Sequence, residues 1–370
     1  MNPLLGDQFT LGVEEEYQIV DPQSRELRSY VSRMLEDGKS VLMERVRMEL
    51  HQSMVEVGTV VCKDVGEVRK ELVFMRGELD KLARKGGLRI VAAGTHPISD
   101  WKTQDISPNP RYYAIVDELQ EVARANLIFG LHVHVGIKDK ETAIALTNQV
   151  RYFLPHILAL STSSPFWLGR RTGLMSTRTQ IFKRFPRTGI PDEFDSKASF
   201  ENFVQTLVKT GCIDDGKKIW WDVRPHHLFD TVEVRVCDMP TRLDHTVSIV
   251  ALIQALMAKL YLLWKGNTRW RSYPRSLIEE NKWRAARFAT DAKLIDFGRQ
   301  EERPFLELAH ELVEFVDDAA AMLGTQDQVA KILDIAKDGT SAHRQVEIFE
   351  KAKDPRAIVD WLIGETMTGL

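Results

Sequence analysis

The feature that most constrains the fold of this chain is a set of segments in which apolar residues alternate with glutamate, histidine and arginine. A period of two residues is that of a β-strand, whose successive side chains point to opposite faces of a sheet. In residues 127–137 one face is apolar, and the other carries His132, His134 and Gly136. This pattern predicts a strand with one core face and one face of metal- or phosphate-binding groups.

Two more segments repeat this arrangement. Residues 10–20 place Glu14 and Glu16 on one face, whereas Glu15 falls among the apolar positions and has no explanation in the pattern. In residues 229–239 valines occupy the core face, and the polar face has four members: Thr231, Glu233, Arg235 and Cys237. We therefore expect three strands with similar polar faces.

A fourth segment, residues 49–58, contains Glu49 and Glu56. The two glutamates are seven positions apart, and an odd separation places them on opposite faces of a regular strand. They can converge only if the chain bends or bulges between them.

These polar faces have two interpretations. Any one of them is explained as the solvated side of a sheet. Four together, made of glutamate and histidine instead of threonine and mixed charges, favour a covered face. Each unpaired buried carboxylate would cost several kcal/mol, so cations must accompany these groups. Carboxylate oxygens with an occasional imidazole indicate Mg²⁺ or Mn²⁺ in preference to zinc.

Common nucleotide-binding motifs are missing from the sequence. There is no GxxxxGK[ST] and no GxGxxG after a predicted strand, which disfavours P-loop and Rossmann sites. Residues 168–187 instead form a basic run without an acid, which suits phosphates or carboxylates unless it is a solvated loop. Its cations are Arg170, Arg171, Arg178, Lys183, Arg184 and Arg187. The turn GTSAHRQ, residues 339–345, offers Arg344 as another anion-binding group.

Composition excludes other classes of partner. The 370 residues include 50 Lys and Arg against 53 Asp and Glu, a formal charge of -3, which supplies no field for nucleic acid or an anionic membrane. The longest apolar stretch, residues 247–264, is interrupted by polar residues and is interpreted as a buried helix. The N-terminal residues lack the pattern of a secretory signal, so we expect a cytoplasmic protein.

The distribution of these patterns predicts an α+β fold. Strand-like segments lie in residues 1–242, and residues 243–370 have helical spacing. No repeat of fixed period and no segment of low complexity divides the chain. We therefore expect residues 1–370 to form a single domain.

Eight motifs resemble, in order, those of the YbdK-type carboxylate–amine ligases, often called glutamate–cysteine ligase type 2. They are GVEEEYQIVD (12–21), AAGTHPISDW (92–101), GLHVHVGI (130–137), TGLMSTR (172–178), WWDVRPH (220–226), TVEVRVCDMPT (231–241), ENKWRAAR (280–287) and GTSAHRQ (339–345). An ordered match over nearly the whole chain is far more specific than any single motif.

The resemblance implies a glutamine-synthetase-like fold, in which a curved antiparallel sheet forms a funnel-shaped active site with helices packed behind it. It implies a catalytic domain that uses ATP and Mg²⁺ or Mn²⁺ to join a carboxylate to an amine through an acyl phosphate, and a homodimer as the assembly. The metal ligands that it implies are Glu14, Glu16, Glu49, Glu56, His132 and Glu233. The catalytic and nucleotide-binding residues that it implies are Arg235 and Arg178, with Lys183, Arg344 and His134 as further nucleotide ligands.

Two other functions would use the same residues. A metal-dependent amide hydrolase would hold one metal with His132 and His134, take Glu233 as its base and need no ATP. A non-catalytic nucleotide or amino-acid sensor would bind ATP and form no ADP.

Overall fold

The structure is a computed structural model that describes residues 8–38 and 45–370. The first seven residues of the N-terminal segment that bears on secretion lie outside these ranges. The strands of the described chain are β1 (Leu11–Val20), β2 (Val46–Met48), β3 (Met54–Gly58), β4 (Arg89–Val91), β5 (Gly130–Gly136), β6 (Phe166–Trp167), β7 (Arg170–Arg171), β8 (Thr188–Gly189), β9 (Trp220–Trp221), β10 (Val223–Pro225), β11 (Thr231–Asp238), β12 (Lys293–Asp296) and β13 (Glu301–Pro304).

Helices make up most of residues 243–370, as the spacing predicts, and further helices lie among the earlier strands. They are α1 (Val31–Gly38), α2 (Val65–Lys85), α3 (Pro110–Leu119), α4 (Glu121–Arg124), α5 (Lys140–Val150), α6 (Leu154–Ser161), α7 (Thr177–Phe182), α8 (Lys197–Lys209), α9 (Leu243–Lys265), α10 (Arg275–Phe288), α11 (Phe305–Leu323), α12 (Gln326–Ala330), α13 (Ile332–Asp338), α14 (Ser341–Ala352) and α15 (Arg356–Glu365). The hairpin of β12 and β13 is the exception in this region, and it was not predicted.

The main sheet runs in the order β10-β11-β5-β1-β3-β2, and β4 pairs with the C-terminal end of β1. All of its strand pairs are antiparallel. The remaining described strands form three small pairs: β6 with β7, β8 with β9, and β12 with β13. The central strands β1, β5 and β11 are adjacent in space although more than 90 residues separate each from the next along the chain.

One face of the main sheet carries the apolar half of the alternation. Val13, Val133 and Val234 are fully or almost fully buried there, and helices α2, α5, α6 and α9 pack against the sheet. Burying a side chain of this size stabilises the fold by roughly 1.5–3 kcal/mol. Within the described chain, α9 alone is long and apolar enough to span a membrane, but 83% of its apolar window is buried in the protein. The expectation of a buried helix is therefore confirmed.

Helix α2 shows how the local sequence sets one of these elements. Asp64 caps its N-terminus by accepting a hydrogen bond from the Glu67 amide. Its apolar residues, at the three- and four-residue spacing that predicts a helix, are buried and consist of Val65, Val68, Leu72, Met75, Leu79 and Leu82. The spacing of residues 111–125 and 141–161 also predicts one helix each, but both helices are interrupted. The first breaks at Gln120, where φ is 51°, and the second at the 3₁₀ turn Arg151–Phe153, two residues before Pro155.

Two sequence-based placements need correction. The register between β11 and β5 shifts between Val234 and Cys237, which marks a β-bulge. The extra residue reverses the facing of the later residues in β11, so Cys237 pairs with Leu131 on the core face and is fully buried. Residues 49–58 are also not one strand, because the chain turns back between β2 and β3.

Candidate active site

Strand register brings the predicted polar faces together. Residues directly opposite one another in an antiparallel pair have their side chains on the same face. The opposed polar pairs are Glu14 with His132, Glu233 with His134, and Glu16 with Glu56. Strands β1, β3, β5 and β11 therefore share one polar face.

Four glutamates crowd the β1–β3 side of this face: Glu14, Glu16, Glu49 and Glu56. Glu49 precedes the turn between β2 and β3, and this turn brings its carboxyl group into the same cavity as that of Glu56. Burial, with the charges of its three neighbours, holds the pKa of Glu56 well above its usual range. Burial and the Glu49 charge raise the pKa of Glu16 to about 7. Burial and mutual repulsion therefore oppose ionisation of these carboxyl groups, and a bound cation would offset that repulsion.

The two histidines lie in different surroundings. Nδ1 of His132 lies 3.4 Å from a Glu14 oxygen and 3.4 Å from Nη1 of Arg235. Burial and the Arg235 charge lower the pKa of His132 to about 4, which keeps the imidazole neutral, the form that binds metals. Nε2 of His134 lies 3.8 Å from Glu14 and 4.0 Å from Glu233. Burial would lower the pKa of His134, but the hydrogen bond and charges of these carboxylates raise it.

Glu233 is held by two arginines. It accepts a hydrogen bond of 2.7 Å from Nε of Arg224 and another from Nη1 of Arg235. Burial alone would raise the pKa of Glu233, but the charges of Arg235 and Arg224 outweigh it and hold the pKa well below the usual range. Glu233 is therefore ionised, and the two arginines would compete with a metal ion for the lone pairs of its oxygens.

The β11 bulge is bound by Arg178. The Arg178 guanidinium donates to the carbonyl oxygens of Arg235 and Val236, each at 3.4 Å. It also packs so closely on Gly130 that a Cβ there would overlap it. Nε of Arg178 and Nε of Arg235 are both buried, and neither has a hydrogen-bond partner among the residues that the structure describes. An anionic oxygen would satisfy these two donors.

The polar face forms the floor of a cavity of about 380 Å³. Apolar side chains line another part of it: Met48, Leu50, Met54, Tyr112, Ile115, Ile128, Phe182, Phe185 and Trp220. Further cations in the lining are Arg47, Arg111, Lys217 and Arg224. A concave site with an apolar wall and convergent charges is typical of small-molecule binding.

The chemistry of the donors fits a hard divalent cation. Two sets of residues each offer potential ligand atoms that lie within 4.8 Å of one another. One set is Glu14, His134 and Glu233, and the other is Glu14, Glu56 and His132. Glu14 belongs to both sets. Burial would raise its pKa, but hydrogen bonds to His132 and His134 outweigh burial and hold the pKa well below the usual range. Oxygen-rich sets with one imidazole are typical of Mg²⁺ or Mn²⁺.

The structure brings nine of the eleven predicted site residues into this cavity and leaves two outside it. Those inside are Glu14, Glu16, Glu49, Glu56, His132, His134, Arg178, Glu233 and Arg235. Lys183 is more than half exposed and pairs with Glu279 at 3.2 Å. Arg344 lines a separate cavity and lies 3.6 Å from Glu347. Of the basic run, Arg178 lines the site, whereas Arg171 pairs with Glu350 on the surface.

Arg224 is a site residue that the sequence interpretation did not single out. It lies in the short strand β10, directly opposite Glu233, and its side chain is only 12% exposed. In the motif WWDVRPH, Arg224 stands between Val223 and Pro225, and this alternation is the sequence feature that could have identified it as a site residue. Arg47 and Arg111 were also missed, and no pattern around them indicates a site.

The fold defines the structural class of the protein, which is the glutamine-synthetase-like fold. A bifunctional glutathione synthetase from Pasteurella multocida superimposes with a TM-score of 0.71 at 14% identity, over 98% of this chain and 53% of that chain. The chain thus spans about half the length of that protein. A glutamate–cysteine ligase from Francisella tularensis, solved in complex with AMP, has a TM-score of 0.65 at 12% identity and covers 97% of this chain and 88% of that one. These likenesses establish the predicted α+β fold.

The chain belongs to glutamate–cysteine ligase family 2, whose model matches residues 10–359. It is 62% identical over 369 residues to a Sorangium cellulosum protein named "Putative glutamate--cysteine ligase 2", with 99% of this chain and 98% of the relative covered. A Herpetosiphon aurantiacus protein of the same name is 54% identical over 362 residues, covering 98% and 94%. The resemblance drawn from the eight motifs is therefore confirmed.

Proposed function

We propose that this chain uses ATP to join a carboxylate to an amine through an acyl phosphate, and that glutamate, or an amino acid like it, is the acid. The observation that carries the proposal is the pairing, in one cavity, of a crowded glutamate cluster with two arginines whose Nε donors lack an acceptor. A cluster of carboxylates suits the metal ions that accompany nucleotide phosphates, and the arginines suit the phosphate oxygens themselves.

The glutamates and histidines would hold the cation. Glu14, Glu56 and His132 form one donor set, and His134 with Glu233 completes the second set around Glu14. Glu16 and Glu49 add charge next to these sets. When bound, Mg²⁺ or Mn²⁺ would neutralise phosphate charge and orient the phosphates for in-line attack.

Arg235 and Arg178 would act on the transferred phosphoryl group. Arg235 belongs to the β11 bulge, and the Arg178 guanidinium donates to the carbonyl oxygens of that bulge. The Nε of each arginine is buried and has no acceptor among the described residues. As the substrate carboxylate attacks the γ-phosphorus, the bond from that phosphorus to the bridging oxygen breaks and ADP leaves, and these donors would stabilise the charge on the phosphoryl oxygens. The amine would then attack the acyl carbon, and phosphate would leave with the C–O bonding electrons.

The geometry does not favour the amide hydrolase. His132 and His134 belong to different donor sets, joined only through Glu14. Glu233 binds two arginines, which hold its pKa well below the usual range and make it a poor base. A hydrolase that uses these three residues around one metal would need a different arrangement of the site.

The test is release of ADP and phosphate with ATP and Mg²⁺ across an array of amino acids and amines, followed by mass measurement of the product. We expect ADP release only when an acid and an amine are both present, and a product mass equal to their sum less one water. ATP binding without ADP in any mixture would support the sensor, and cleavage of candidate amides without nucleotide would support the hydrolase.

Three further expectations belong to this proposal. Residues 1–370 would act as one catalytic unit, the protein would work in the cytoplasm where ATP and Mg²⁺ are supplied, and two copies would form a homodimer. The relatives share a name that pairs glutamate with cysteine, so this pair is the first mixture to assay.

A further inference from the structure

A buried carboxylate lies at the C-terminal end of β11, opposite Gly130 and three residues after Arg235. Asp238, the last residue of β11, is fully buried and does not line the cavity. Its Oδ2 accepts hydrogen bonds from the Ser163 amide at 2.9 Å and the Ser164 hydroxyl at 2.6 Å. Its Oδ1 accepts one from the Ser176 hydroxyl at 2.7 Å. Three donors from two separate segments therefore converge on one side chain.

Both of these hydroxyls hold the start of helix α7, which carries Arg178. Ser176 is the N-cap, and its oxygen accepts from the Thr179 amide at 3.3 Å. The Ser164 oxygen accepts from the amide of Arg178 itself at 3.1 Å. Asp238 orients the two serines as acceptors, because each donates its own proton to the carboxylate.

The same strand also holds the other end of Arg178. The guanidinium donates to the carbonyls of Arg235 and Val236, which precede Asp238 in β11. The main chain of Arg178 is thus tied to Asp238 through the serines, and its side chain is tied to the bulge two and three residues earlier. Contacts to β11 therefore fix the position of both the main chain and the guanidinium of Arg178.

We propose that Asp238 is a positioning residue that aligns Arg178 with the phosphate- and carboxylate-binding part of the cavity. This inference rests on the proposed function for the role of Arg178, although the placement of the arginine is set by the contacts alone. Asp238 touches neither substrate nor metal in this arrangement. Its effect on the reaction is exerted through Arg178.

Replacement of Asp238 by Asn isolates this role. Asn has nearly the same shape, but one of its two acceptors becomes an NH₂ donor. The serine next to the new NH₂ group would lose the acceptor of its hydroxyl proton and would instead face N–H donors. The hydroxyl would then no longer be oriented toward the start of α7, and this part of the helix would shift. Asp238 packs closely on Gly94, because a Cβ there would lie 2.9 Å from Cγ of Asp238.

The experiment compares Asp238→Asn, Arg178→Ala and the double variant by kcat, KM for ATP and the Mg²⁺ titration. We expect Asp238→Asn to lower kcat by about 10²-fold, the order that a misplacement of 1 Å can cause, with the Mg²⁺ midpoint unchanged. The double variant should have a kcat within about threefold of Arg178→Ala, because effects exerted through one residue are not additive. Wild-type kcat in Asp238→Asn, or fully multiplicative losses in the double variant, would overturn the inference.

Asp80→Asn is the matched control for loss of a buried carboxylate. Asp80 on α2 is 3% exposed, binds Arg84 on the same helix and Arg89 on β4, and does not line the cavity. It should lower the melting temperature and leave kcat unchanged. If Asp238→Asn does not fold, Ser164→Ala and Ser176→Ala replace it, each with an expected loss in kcat of about tenfold and the same lack of additivity with Arg178→Ala.

A wild-type protein that releases no ADP in any mixture would contradict the proposed function, and the inference is then tested by binding. Titration with inorganic triphosphate and Mg²⁺ should show weaker binding by the same factor in Asp238→Asn and in Arg178→Ala. Equal affinity of wild type and Asp238→Asn would overturn the inference independently of catalysis.

Discussion

Glu15 and Arg76 form an ion pair without exposed surface on the face of β1 opposite Glu14 and Glu16. Nη2 of Arg76 lies 2.5 Å from one Glu15 oxygen, and Nε lies 3.2 Å from the other. Nη1 of Arg76 donates to the carbonyl oxygens of Thr241 and Thr366. The pair therefore ties β1 to α2, to the segment after β11 and to the C-terminal region, which explains the one acid in the apolar half of the strand.

Breaking this pair should destabilise the fold strongly. Glu15→Gln would leave the Arg76 charge buried without its partner, and we expect a loss of about 3–5 kcal/mol in the free energy of unfolding by urea. The control is Asp244→Asn, whose partner is Arg69 in a pair with both side chains 41% exposed. That change should cost at most about 1 kcal/mol. Equal losses in the two variants would contradict a structural role for the buried pair.

Arg235→Ala should nearly abolish ATP-dependent product formation. Removing an arginine that stabilises a phosphoryl-transfer transition state lowers the rate by about 10³–10⁵-fold in other enzymes. The measurement is kcat from ADP release, with circular dichroism to verify folding. Arg171→Ala is the control, because Arg171 belongs to the basic run but pairs with Glu350 on the surface. Wild-type-like turnover of Arg235→Ala would refute the role of this arginine.

Glu14→Gln should weaken metal-dependent nucleotide binding more than Glu56→Gln. Glu14 belongs to both donor sets and Glu56 to one, so the first change removes an ionised oxygen ligand from each set. We expect the Mg²⁺ concentration at half-maximal ATP binding to rise at least about tenfold for Glu14→Gln. Glu71→Gln on α2, where Glu71 pairs with Arg45, should leave it unchanged. An identical Mg²⁺ titration for wild type and Glu14→Gln would argue against the metal site.

Glu16 should make the stability of the metal-free protein depend on pH. Burial and Glu49 raise its pKa from 4.5 to about 7, so the folded state binds more protons than the unfolded chain between these values. Its contribution to stability is therefore fully present below pH 4.5 and is lost as pH rises through 7. Relative to Glu16→Gln, the wild-type free energy of unfolding should fall by about 3 kcal/mol over this window.

Added Mg²⁺ should reverse this trend. Binding to the carboxylate form requires loss of the Glu16 proton, so stabilisation by a fixed Mg²⁺ concentration should be larger at pH 8 than at pH 6. Urea unfolding with and without Mg²⁺ at both pH values measures the effect. The same stabilisation at pH 6 and pH 8 would show that Glu16 does not release a proton when metal binds.

Gly130→Ala should reduce activity with little effect on stability. A Cβ at Gly130 would overlap the Arg178 guanidinium, the far end of a flexible side chain, so the arginine moves while the backbone stays in place. We expect kcat to fall by about tenfold or more. Gly77→Ala is the control, since no atom lies within 4 Å of a Cβ there and the helix should gain about 0.5–1 kcal/mol. Activity that is unaffected by Gly130→Ala would contradict the role of this contact.

Much of the site was predictable because alternation is a local property. The polar faces of β1 and β5 and the first half of β11 are set by the period of two, and the apolar stripe of α2 is set by the helical period. The prediction for Cys237 was wrong because a bulge adds one residue and reverses every later side chain. Glu49 and Glu56 meet because Glu49 directly follows β2 and Glu56 lies on the antiparallel strand β3, so their separation in sequence no longer sets the face.

The sequence by itself determined which side chains share a face within β1, within β5 and within β11 before its bulge, and the order of its motifs determined the family. Only the tertiary structure decided which strands are neighbours and in what register. It opposed Arg224 to Glu233, placed Glu14 between two donor sets and brought Arg178 onto the β11 bulge. The physical reason is that these contacts join segments distant in sequence, and their geometry depends on strand pairing, bulges and core packing across the whole sheet.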